Sequence, residues 1–197
     1  MEYILKTDSS VLAVSLVEMK AYLQVDFSTD DSLITELIKV ATRYVENYTH
    51  REMLSKTFTL YLDSFDEEFT NMILIKRHKL QSITSIKYYI DDILTTFSNL
   101  SYSFTKSDNN FQYIYLKEGY NYPDIDSRPQ AIEIEFIAGF GTTAADVPDD
   151  YKIMIKRLVA YLYNFRGDCI DGNIDLNHAS LIGLKSLLDM KSIIYLV

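Results

Sequence analysis

The chain has 197 residues, 48% of them apolar and 24% charged, which excludes a disordered segment and leaves one domain or two small lobes. A net charge of −9, with no cationic cluster beyond Lys76-Arg77-His78-Lys79, excludes a protein that grips nucleic acid through its phosphates. The single cysteine, Cys169, excludes an intrachain disulfide and suits a reducing compartment, and no apolar run approaches the ~18 residues of a membrane span.

The first ten residues carry no basic region followed by an apolar one, so no secretory signal is expected. Ser15 with Glu18 fits a capping box and opens a short helix that runs to about Gln24. From Asp30 to Tyr48, Leu33, Ile34, Leu37, Ile38, Ala41, Tyr44, Val45 and Tyr48 recur at helical spacing, with Glu36, Lys39, Arg43, Glu46 and Asn47 on the other face. That pattern predicts an amphipathic helix.

Between Ser55 and Phe140 the period changes to two. Strand-like runs cover 57–65, 71–77, 82–90, 94–97, 100–106, 111–117 and 131–140. Asp91-Asp92 and the polar stretch 107–110 read as hairpin turns, so the strands they join are antiparallel. The segment 118–130, with Pro123 and Pro129, is the longest irregular piece. The 16 tyrosines suit half-exposed sheets and subunit contacts, though ordinary strand composition accounts for them equally well.

Helix returns at about Pro148, with Asp149 and Asp150 in its first turn. Tyr151, Met154, Ile155, Leu158, Tyr161, Leu162 and Phe165 form a stripe that Val159 and Tyr163 broaden. A stripe that wide suggests burial on more than one side, as between neighbouring subunits. The last stretch, 179–197, begins helical and ends in a continuous apolar run expected to be extended. A free tail of that character is an aggregation hazard, so it must be covered by its own subunit or by a partner.

Gly139-x-Gly141-x-x-Ala144 outlines a dinucleotide-binding loop. The strand before it alternates, with Ile132, Ile134 and Phe136 on one face and Glu133 and Glu135 on the other. A cofactor loop needs a strand buried on both faces and glycines that open directly into a helix. Here Gly141 lies seven residues before Pro148. The glycines are better read as releasing the strand where φ > 0 is required.

No other constellation points to chemistry. His50, His78 and His178 have no ligand partner at metal spacing, and His50 reads as a cation at a helix C-terminus. The pairs Asp30/Asp31, Asp91/Asp92 and Asp149/Asp150 all fall at caps or turns, and Cys169 lacks neighbouring bases. No cofactor and no catalytic residue is expected.

The segment 128–168, with Pro129-x-Ala131, the strand, Ala138-Gly139-Phe140-Gly141, Val147-Pro148 and the helix beyond, resembles the signature of tailed-phage head–tail connector (adaptor, or head-completion) proteins. Residues 14–54 are similar to that family's first two helices, and 80–89 resemble the strand after its Pro-Leu turn, which reads Lys79-Leu80 here. The resemblance covers most of 12–168, while 169–197 match poorly.

The resemblance implies a homo-oligomeric ring, a dodecamer in the virion, seated on the portal protein. Such a ring extends the DNA channel without binding DNA specifically, and it receives a neck or tail-completion protein. It implies a virion location, after assembly in the bacterial host cytoplasm.

The expected fold is α+β: N-terminal helices over 1–54, an antiparallel β lobe over 55–141 inserted between the second and third helices, and C-terminal helices and an arm over 142–197. The expected contacts with copies or partners are Leu37, Ala41, Tyr44, Leu158, Tyr161, Leu162, Phe165, Ile193, Ile194, Tyr195 and Leu196. Two other readings remain open: another neck or tail-completion protein, and a small hydrolase.

Overall fold

The alternation between period-two and helical patterning separates the chain into two compact units, each with its own apolar core. The computed structural model describes residues 1–65, 72–105, 111–165 and 181–193. One unit joins Met1–Ser9 to Ser55–Gly139; the other joins Ser10–Leu54 to Phe140–Val197. The architecture is α+β.

The first unit is built from antiparallel strands: β1 (Glu2–Thr7), β2 (Lys56–Leu62), β3 (Met72–Ile75), β4 (Leu80–Ile90), β5 (Ile93–Thr96), β6 (Tyr102–Phe104), β7 (Gln112–Leu116) and β8 (Ile132–Ala138). They form a five-stranded sheet in the order β1-β2-β8-β4-β5 and a three-stranded sheet in the order β3-β7-β6. Strand β8 lies at the centre of the larger sheet. Its Ile132, Ile134 and Phe136 enter the core while Glu133 and Glu135 stay on the half-exposed face. Phe58, Leu60 and Leu62 of β2, and Ile73, Ile75 and Ile114 of the smaller sheet, complete one core shared by both sheets. Gln112 is fully buried, and its side-chain oxygen accepts the Leu80 N–H at 2.6 Å, so β7 is fastened to β4 by a satisfied polar contact.

Met1–Ser9, read from the sequence as part of the helical body, belong to this sheet. β1 pairs antiparallel with β2, from Glu2 opposite Tyr61 to Leu5 opposite Phe58. Tyr3 holds it in place. Its ring meets Phe136 edge-on at 6.3 Å, and its hydroxyl accepts the Lys76 N–H at 2.8 Å. Outside, Lys6 pairs with Glu135.

The 91–92 turn is a hairpin, as its composition predicts. Asp91 and Asp92 have φ of 52° and 59°, the left-handed pair that the twist of a two-residue hairpin demands. The expected turn at 107–110 lies outside the described residues, although β6 and β7 on its two sides are antiparallel partners.

The second unit contains α1 (Leu16–Leu23), α2 (Asp31–Thr49), α3 (Asp149–Asn164) and α4 (Ile182–Lys191), with a short 3-10 turn at Ala144–Asp146. Ile34, Ile38, Ala41 and Val45 of α2 face Met154, Ile155, Leu158 and Val159 of α3, and Met19, Leu184 and Leu188 close the core. Ser15 caps α1 by accepting the Glu18 N–H at 3.2 Å. Glu18 bonds Lys156 of α3 at 2.6 Å, tying α1 to α3. His50 ends α2 in a left-handed conformation, φ 56°, and donates its N–H to the Glu46 carbonyl. No described helix is long and apolar enough to cross a membrane.

Candidate assembly interface

The glycine-containing stretch after β8 is a turn in which the Gly139 and Thr143 N–H groups already have partners. Gly139 has φ 139°, which a side chain rarely adopts, so here the glycine does release the strand. Its N–H donates to the Lys79 carbonyl at 2.7 Å, and its own carbonyl accepts from the Gln81 amide at 2.7 Å. Gly141 serves a different purpose: a Cβ there would collide with the side chain of Asp146, so the residue is needed for space rather than for φ. The Asp146 carboxylate accepts the Thr143 N–H at 2.8 Å and the Thr143 hydroxyl at 2.9 Å. The Thr143 N–H, then its hydroxyl, hold that carboxyl below the ordinary aspartate range. An internal carboxylate thus takes the Thr143 donors and lies beside Gly141.

The carboxylate pairs have structural partners. Asp31 bonds Lys20 at 2.6 Å, Asp30 accepts from the Tyr163 hydroxyl, and Asp150 pairs with Lys191 at 2.8 Å. His78 is buried and His50 sits at the α2 C-terminus; Cys169 and His178 lie outside the described residues. Among the described residues, no group of three or more His, Cys, Asp or Glu side chains is placed to hold a metal ion.

The residues expected to meet other copies fall into two sets. Ala41 and Leu158 are fully enclosed in their own unit, and Tyr161 and Ile193 are buried there too. The physical reason is that α2 and α3 pack on each other, so the centres of their apolar stripes satisfy one another within one chain. Leu37, Tyr44, Leu162 and Phe165 lie at the margin, packed against the core yet partly open. Ile194, Tyr195 and Leu196 lie outside the described residues. The chain before them is held by its own unit: the Ser192 hydroxyl donates to the Tyr48 carbonyl at 3.0 Å, and the Tyr48 hydroxyl donates to Asp189.

Two surface features were not legible in the sequence. The first is a braced hairpin. Asp126, from the irregular 118–130 segment, accepts the N–H groups of Asp91 at 3.0 Å and Asp92 at 2.9 Å. The Asp126 N–H donates to the Tyr89 carbonyl, and the Arg128 guanidinium lies 4.1 Å from the centre of the Tyr89 ring. The long loop therefore locks the tip of the β4–β5 hairpin. The second is a shallow groove in the helical unit, about 160 Å³, lined by Tyr22 of α1 with Arg157, Ala160, Tyr161, Asn164 and Phe165 of α3 and its end. Only turn-forming residues hint at the first in one dimension, and only the margin of the α3 stripe at the second.

An α+β chain of two cores, whose polar side chains named above serve caps, turns and inter-helix ties, has the features of an assembly protein. Residues 13–110, about half of the chain, match the family described as phage gp6-like head–tail connector protein, and the chain belongs to that family. It is a structural head–tail connector.

Among solved structures, one similar chain comes from the virion of a native gene transfer agent particle (19% identity, TM-score 0.81). Two others come from the neck of an empty particle computed with C6 symmetry (18%, 0.80) and the neck of a native particle computed with C12 symmetry (18%, 0.78). Each likeness covers 100% of this chain and 98% of the other, and at that identity it establishes a shared fold. No curated protein sequence matches the chain.

Proposed function

We propose that the chain forms a closed ring of identical copies, a dodecamer in the virion, which seats on the portal protein, continues its DNA channel and receives a neck or tail-completion protein. The observation that carries this reading is the end-to-end likeness to a chain of a neck particle computed with C12 symmetry. The acidic balance supports a passive channel, since a net charge of −9 discourages a tight hold on DNA. The role is non-enzymatic, and assembly takes place in the cytoplasm of the bacterial host. The test is a mass measurement of the purified protein, alone and mixed with its portal. A ring-sized species, or a stoichiometric complex with the portal, is the expected result. A protein that stays monomeric in both conditions overturns the reading.

A further inference from the structure

We propose that the β4–β5 hairpin of one copy seats in the α1–α3 groove of the next, with Ile93 filling the groove and Asp92 pairing with Arg157. The proposal rests on the ring reading above and names the contact that builds the ring.

The hairpin carries the features of a preformed plug. Ile93 is 65% exposed, and Ile90 and Leu94 beside it are 37% and 39% exposed. Scattered exposed apolar residues are ordinary. These three flank a turn that Asp126 and Arg128 hold rigid, so little conformational freedom is lost when they dock. The Asp92 side chain is 95% exposed and meets Arg128 only at 3.6 Å, leaving it open to a second cation.

The groove is the matching socket. Three of its six lining residues are aromatic: Tyr22, and Tyr161 and Phe165, whose rings are in contact at 4.8 Å. Its volume, about 160 Å³, is close to the ~150 Å³ of a cavity that admits a benzene ring, enough for a branched aliphatic side chain. One cation stands in it. Arg157 forms no ion pair among the described residues, and it lies against Gly183 of α4, where a Cβ would approach the guanidinium to 3.1 Å. The glycine therefore leaves the guanidinium its place.

Two considerations select a second copy as the occupant. Copies that each carry a net charge of −9 repel one another at a distance, so a lasting contact needs local complementarity, and an acidic apolar tip against a cationic aromatic groove supplies it. The two surfaces also differ from each other, so the contact is head-to-tail, the kind that closes into a ring.

The test uses Ile93→Cys together with Ala160→Cys in a Cys169→Ser background, oxidised mildly both as purified protein and in isolated necks. A ladder of cross-linked oligomers, absent from either single-cysteine protein, is expected. Arg157→Glu should weaken association roughly tenfold or more, and Asp92→Arg in the same chain should restore it. Ile93→Asp, at an exposed position, should lose association with an unchanged melting temperature. Oligomers that form without the ladder and ignore both charge changes overturn the contact and leave the ring standing. Absence of any oligomer in solution and in necks overturns both.

Discussion

Tyr48 and Asp146 show single residues whose titration reports the packing around them. The Tyr48 hydroxyl donates to Asp189 of α4, and that hydrogen bond, aided by burial, pushes its pKa up to about 12. A raised folded value means that the contribution to stability is fully present below the ordinary tyrosine range and is lost as pH rises through about 12. Burial also raises Tyr44, Tyr61, Tyr102 and Tyr151, so several tyrosines should ionise late in an alkaline spectrophotometric titration, and Tyr48→Phe should reduce that late amplitude by one tyrosine; a late amplitude unchanged by the substitution rejects the bond. Asp146 has the opposite sign. Its carboxyl is held low by the Thr143 N–H, so its contribution is present above the ordinary aspartate range and disappears as pH falls through the lowered value. Gly141→Ala pushes a methyl group into that same side chain, so it should displace Asp146 from Thr143 and lower the midpoint of denaturant unfolding; an unchanged midpoint would show that the turn tolerates the methyl group.

At the scale of elements, the clearest case is α4, a ten-residue helix fastened to α2 and α3. Leu184 and Leu188 enter the core, Arg51 donates to the Lys191 carbonyl at 3.3 Å, and Lys191 pairs with Asp150 at 2.8 Å. Leu184→Ala should cost about 2–5 kcal/mol, read as a lowered midpoint of thermal or urea unfolding. An unchanged midpoint would show that α4 does not help to hold the helical core. Helices α2 and α3 were legible in the sequence because each carries a sustained apolar stripe, and β8 because Ile132, Ile134 and Phe136 alternate with Glu133 and Glu135. β1 was not legible, since its place depends on pairing with β2, more than fifty residues away in sequence, and on Tyr3 reaching Phe136 and Lys76. The purpose of the 118–130 segment was hidden for the same reason. Asp126 acts on a turn more than thirty residues earlier, and no local period records that. The stripes on α2 and α3 also overstated their availability, because periodicity marks an apolar face without saying whether the same chain or another covers it. Ala41 and Leu158 proved to be covered from within.

For the whole molecule, the charge balance bears on whether the chain can hold DNA. Tight binding to a duplex comes from lysines and arginines that displace condensed counterions, and each such contact steepens the salt dependence. This chain has 19 lysines and arginines against 28 acidic residues. Its only dense cationic run, 76–79, is committed to the β unit: Arg77 lies 5.4 Å from the centre of the Phe58 ring, His78 is buried, and the Lys76 backbone N–H is bonded to Tyr3. Other cations are paired locally, Lys6 with Glu135, Lys20 with Asp31 and Lys156 with Glu18. Moving any of them onto a phosphate would strip a carboxylate of its partner and leave that carboxylate facing the DNA. The protein should therefore show no measurable binding to duplex DNA at physiological salt in a fluorescence polarisation assay, and only weak binding when salt is lowered. Tight binding that falls steeply with added salt would overturn the passive-channel reading and would point to a cationic surface created by assembly.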